Sequence, residues 1–117
     1  MASYAVLHQH QQASELEALK RELSEFLFGV GYPHRPGAEK DSLWALMAVD
    51  AMVRARFAYT TEAEHRFGVR VRFSLAGELI RFEGIAESLP LAVARVIAEV
   101  RVTFQANEKQ ISLRDLL

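Results

Sequence analysis

Apolar and polar residues alternate strictly between Phe67 and Leu75. Phe67, Val69, Val71, Phe73 and Leu75 are separated by Gly68, Arg70, Arg72 and Ser74. Period-two alternation of this length predicts a half-buried strand, which opens at about His65. A second run, Glu78 to Glu83, follows Ala76-Gly77 and completes a hairpin. A two- or four-residue loop there sets Phe73 opposite Ile80 and Val71 opposite Phe82 on one face. On the other face Arg70 meets Glu83 and Arg72 meets Arg81. Either loop keeps this division of faces, because only a slip of one residue turns the side chains over.

Downstream the period changes to that of a helix. Ser88 is placed to cap it, and Pro90 is tolerated in its first turn, where its missing N–H has no intrahelical acceptor. Leu89, Val93, Val96, Ile97, Val100 and Phe104 form one stripe that should lie across the apolar face of the hairpin. Arg95 and Glu99, four residues apart, are the main polar marker. From Val100 two patterns compete. The stripe continues to about Asn107, whereas alternation of Val100, Val102 and Phe104, echoed by Ile111 and Leu113, suggests a second hairpin turning at 106–109. The helix is the preferred reading.

Upstream of the hairpin, Ser14 and Glu17 make a capping box. Leu16, Leu19, Leu23 and Phe26 then recur at three-four-three spacing, Glu17 and Arg21 are set to pair, and Gly29 ends a helix of about fifteen residues. This leucine seam must dock on its own domain or on a second copy, so the four residues are the candidate dimer contacts. Before them, Met1–Leu7 reads as a short strand or tail and His8–Gln12 as a polar connector. Gly29–Lys40 is a loop with three glycines and two prolines. There Tyr32, His34 and Arg35 form a candidate contact patch beside the plainer reading of a linker. Asp41 or Ser42 caps a helix from Leu43 to about Phe57. Its apolar residues nearly encircle it and imply heavy burial, with Asp50 paired to Arg54 in solvent. Tyr59 to Glu64 leads into the hairpin.

These elements define an α+β fold in the order α-α-β-β-α, with the extra C-terminal hairpin as the alternative. The chain of 117 residues reads as one domain, with residues 1–30 as N-terminal segment and helix and 41–107 as core. Half the residues are hydrophobic and a quarter charged, which argues against disorder. Fourteen basic and fifteen acidic residues leave a net charge of −1, so no global field draws the chain to nucleic acid or acidic membrane. There is no cysteine, which excludes disulfides and thiolate chemistry. Without a signal pattern or a span of about 20 apolar residues, a soluble cytoplasmic protein is expected.

Candidate chemistry is sparse. His8 and His10 have a metal-like i,i+2 spacing, but only Glu15 lies near as a third ligand, so no metal or other cofactor is assigned. Gly29-Val30-Gly31 follows a helix and precedes no Lys-Ser/Thr pair, so it is not a phosphate loop. No catalytic constellation surrounds His34, His65 or any serine, and the chain is read as a non-enzyme. The feature with physical content is an arginine face: Arg66, Arg70, Arg72 and Arg81. Arginines placed opposite one another repel, and an anionic partner would relieve the repulsion through bidentate contacts. A solvated face is the plainer alternative.

The stretch Ser42-Leu43-Trp44-Ala45-Leu46, the hairpin, and Ala86-Glu87-Ser88-Leu89-Pro90-Leu91-Ala92-Val93-Ala94-Arg95 resembles the small phage and prophage ABA-sandwich proteins. The resemblance covers about residues 41–100 and implies an alpha-beta-beta-alpha unit of phage or prophage origin, with no established activity or catalytic residues. The expected function is therefore a protein-interaction or regulatory module acting as a homodimer. Nucleic-acid binding through the arginine face ranks second, and a small enzyme third.

Overall fold

The computed structural model describes residues 4–29, 31–32, 40–64, 68–75, 77 and 79–105. Six elements follow in order: α1 (Tyr4–Phe28), α2 (Asp41–Arg54), β1 (Ala58–Glu64), β2 (Gly68–Leu75), β3 (Ile80–Ala86) and α3 (Leu89–Gln105). The class is α+β, but a strand that the alternation did not reveal precedes the hairpin. The three strands form an antiparallel sheet in the order β1-β2-β3. Thus the stretch that resembles an alpha-beta-beta-alpha unit holds three strands here.

The register differs from the expected one by two residues. Leu75 pairs with Ile80, Phe73 with Phe82 and Arg72 with Glu83. A four-residue loop, 76–79, produces this ladder, and an even shift leaves the faces as expected. Val71 and Phe73 point inward and are fully buried, while Arg72 lies on the other side, half-exposed.

Helix α3 is the centre of the molecule. Its Leu91, Ala92, Val93, Ala94, Val96, Ile97 and Val100 are all buried, because β2 and β3 cover one side and α1 and α2 the others. Close approach to the sheet requires Gly84, where a Cβ would lie 2.7 Å from Val96 Cγ2. Ser88 caps the helix as expected, its Oγ accepting from the Leu91 N–H at 3.4 Å. Residues 100–105 are helical, so the strand reading of that stretch fails. The rest of the alternative hairpin, 106–113, lies outside the described residues.

Helix α1 begins ten residues before the capping box. No Gly or Pro interrupts residues 1–28, and Ala, Leu and Gln favour helix, so Ser14 and Glu17 sit inside the helix. The polar connector at His8–Gln12 is likewise helical. Leu16, Leu23 and Phe26 are buried in their own domain, and Leu19 packs half-buried beside them. Glu17 reaches Lys20 at 3.6 Å, and the fully buried Lys20 Nζ also donates to Asp41 at 3.3 Å. A buried ammonium is costly without such partners. Asp41 is thereby drawn to α1, and Lys40 stands at the N-cap of α2 with no side-chain cap hydrogen bond.

Helix α2 ends at Arg54, three residues before the expected Phe57. Phe57 N–H donates to Met52 O and Arg56 N–H to Val53 O, a Schellman closure in which Arg56 takes a φ of 75°. Glycine usually fills that position, so no residue in the sequence signalled the stop. Phe57 then turns into the core, its ring edge-on to Phe73 and to Phe104, each at 6.3 Å.

Glu15 joins the layers. Arg95 Nε and Nη2 donate to its carboxylate at 2.6 and 3.0 Å, and Arg95 Nη1 donates to Ile85 O at 3.2 Å. Arg95 therefore bridges α1, α3 and β3, whereas its sequence neighbour Glu99 was the expected partner. The hydrogen bonds from Arg95 hold the Glu15 carboxyl below the usual carboxylate range; partial desolvation opposes them and Coulomb attraction adds to them. A group with a depressed folded pKa stabilises above its unfolded pKa, and loses that stabilisation as pH falls through the folded value. Glu15→Gln should therefore cost about 1 kcal/mol at pH 7, given the solvent exposure of the pair. The difference from the wild type should vanish below the ordinary carboxylate range; urea titrations at several pH values measure it.

Candidate functional site: the α2 groove and the outer sheet face

The apolar residues that nearly encircle α2 are not heavily buried all round. Trp44, Ala45, Ala48 and Met52 face the interior. Leu43, Leu46 and Val53 stand out in solvent, with Leu46 71% exposed. The expectation of general burial fails because α1 and α3 together cover only one flank of the helix. Positions 43, 46, 50 and 53 repeat at three-four-three spacing, so the exposed stripe is continuous apart from Asp50.

Positions 46, 50 and 53 of this stripe stand on one wall of a groove of about 570 Å³, and Leu43 lies outside its lining. Ala45, Leu46, Val49 and Val53 of α2 line it, Tyr59 of β1 closes one end, and Leu89 and Pro90 at the start of α3 form the opposite wall. Ser42 and Asp50 contribute its polar groups. Asp50 is held by Arg54 at 3.0 Å, the solvent-facing pair expected from the sequence. The chemistry offered is apolar contact with an acidic edge, which suits a side chain or helix better than a reacting group. None of the described candidate residues from the sequence lies in it. The signal that would have found it is a surplus: α2 has more apolar positions than a three-helix domain can cover.

The outer face of the sheet carries Arg70, Arg72 and Arg81. Arg72 stands opposite Glu83, not opposite Arg81, and its Nε meets the Glu83 carboxylate at 2.5 Å. Arg81 stands opposite Ser74, and Arg70 opposite Glu62 of β1. The expected confrontation of arginines is therefore absent, through the two-residue shift of register and the unforeseen acidic strand. Tyr32 stacks on Phe28 with ring centroids 4.8 Å apart, just past the end of α1. Arg66, His34 and Arg35 lie outside the described residues.

Among the described residues no group of three or more His, Asp or Glu side chains is placed to hold a metal ion. No described helix is long and apolar enough to cross a membrane. The chain matches no protein-family model, no curated protein and no solved structure.

Proposed function

We propose that this chain is a non-catalytic protein-interaction module, working as a small dimer, that holds an amphipathic helix of a partner protein in the α2 groove. The observation that carries the reading is the exposure of Leu46 and Val53 in a concave apolar site, with the exposed Leu43 continuing the stripe beyond it. Contiguous apolar surface of this kind marks interaction sites in soluble proteins. Leu43 to Val53 spans about 15 Å of helix, the footprint of roughly three turns of a partner helix. Asp50 at the groove rim is already paired with Arg54, so the apolar contact carries the recognition. The resemblance of residues 41–100 adds a phage or prophage setting to the proposal.

Nucleic-acid binding has weaker support. Glu83 occupies Arg72, Glu62 stands opposite Arg70, and the net charge is −1.

A synthetic helical peptide with leucines at i, i+3, i+4 and i+7 and lysines elsewhere probes the groove by isothermal titration calorimetry. Saturable binding of one peptide per chain is expected. Leu46→Lys should weaken it about tenfold or more, since covering a leucine is worth about 1.5–3 kcal/mol. Leu79→Lys, exposed outside the groove, should leave it unchanged. Unsaturable binding, or equal loss in both variants, would overturn the reading.

A further inference from the structure

We infer that a second copy of this chain pairs with the outer edge of β3, continuing the sheet to six strands about a two-fold axis at Phe82. The inference rests on the dimeric part of the proposed function and names its interface; the α2 groove is not involved. Among the described residues β3 is bonded on one side only, to β2. Native sheets protect such an edge with proline, lysine or a bulge. The strand Ile80-Arg81-Phe82-Glu83-Gly84-Ile85-Ala86 has neither proline nor lysine and pairs without a break. It is also greasy toward solvent: Ile80 and Ile85 are exposed, and the adjoining Leu79 is 86% exposed.

Charge selects the register. In an antiparallel strand alternate residues turn their main-chain groups away from the existing neighbour. The Ile85 carbonyl, which accepts from Arg95, assigns that role to Arg81, Glu83 and Ile85. Self-pairing centred on Arg81 would oppose two arginines, and pairing centred on Glu83 would oppose two glutamates. Like charges directly opposite destabilise a sheet. Centred on Phe82, the pairing sets Arg81 against the partner's Glu83 twice over, with both residues using their outward N–H and C=O groups. Glu83 then lies between its own Arg72 and the partner's Arg81.

The inner face fits the same register. Phe82 is half-buried beside a shallow cleft of about 420 Å³ lined by Ala98, Glu99, Val102 and Thr103. Val102 is 65% exposed there. The partner's Phe82 would lie over this cleft, and Ile80 would stand opposite the partner's Gly84, beside the Val96 that packs there.

Sedimentation velocity on the full chain tests the interface by charge exchange. The wild type should sediment as two copies of 13.2 kDa. Arg81→Glu and Glu83→Arg should each weaken self-association about tenfold or more, with unchanged circular dichroism. An equimolar mixture of the two variants should restore the dimer, because both charge pairs across the interface are then of opposite sign. Leu46→Lys should remain dimeric. A monomeric wild type would overturn the dimer altogether. A dimer indifferent to Arg81→Glu, or two folded variants that fail to recover on mixing, would overturn this interface and leave the dimer to another surface.

Discussion

Gly68→Ala should unfold a large part of the population at temperatures where the wild type is stable. Gly68 opens β2 with a φ of +100°, and a Cβ there would lie 2.2 Å from Ala86 O and 2.6 Å from Glu87 Cα. Both obstructing atoms belong to the backbone that leads from β3 into α3, so no side-chain rotation relieves the clash. The left-handed backbone adds about 1–2 kcal/mol of strain, and forced displacement of packed atoms adds about 1–3 kcal/mol. The sum is about 2–5 kcal/mol, a lowering of the melting temperature by roughly 8–20 °C in a domain of this size. Gly77→Ala is the control, since its φ is +64° but nothing lies within 4 Å. It should cost about 1 kcal/mol through strain alone. Equal melting temperatures for the two variants would refute the close approach at Gly68.

Phe73→Ala should cost about 3–5 kcal/mol, as removal of a fully buried ring does in a core that relaxes incompletely. Phe73 is central in three respects. It lies on the middle strand, between Tyr59 of β1 and Phe82 of β3. It also stands tilted against the Tyr59 ring at 5.3 Å and edge-on to Phe57 at 6.3 Å. Such ring pairs add about 0.5–1.5 kcal/mol beyond area burial. Against a total stability of about 5–15 kcal/mol, the loss leaves a marginal domain. Phe82→Ala, at a half-buried edge position, should cost distinctly less. Urea midpoints at constant slope measure both, and a loss below about 1.5 kcal/mol at Phe73 would contradict its place in the core.

Several features were legible because they depend on neighbours close in the chain. Alternation from Val69 to Leu75 determined a strand and the face it buries. The apolar stripe from Leu89 to Phe104 determined a helix, with Ser88 as its cap, and Gly29 marked the end of α1. The Asp50–Arg54 pair followed from helical spacing alone. In each case a period of two or of 3.6 residues was enough, because local backbone geometry fixes which side chains share a face.

Strand β1 was illegible because Tyr59 is its only large apolar residue. It is a strand because β2 presents unpaired backbone groups along that edge, and backbone donors and acceptors must be satisfied. The end of α2 was hidden because Arg56 occupies a position that glycine normally signals. Lys20 reads in the sequence as a surface residue; only the meeting of α1 with the start of α2 buries it and supplies Asp41.

The sequence by itself therefore determined the class of fold, the inward face of the hairpin and the helix that covers it. The tertiary structure decided the register that sets Arg72 on Glu83 in place of Arg81, and the side of α2 left uncovered. Both depend on contacts between elements far apart in the chain, which periodicity does not encode. Among the described residues, the exposed flank of α2 and the outer edge of β3 are what remains when three helices and three strands have satisfied one another.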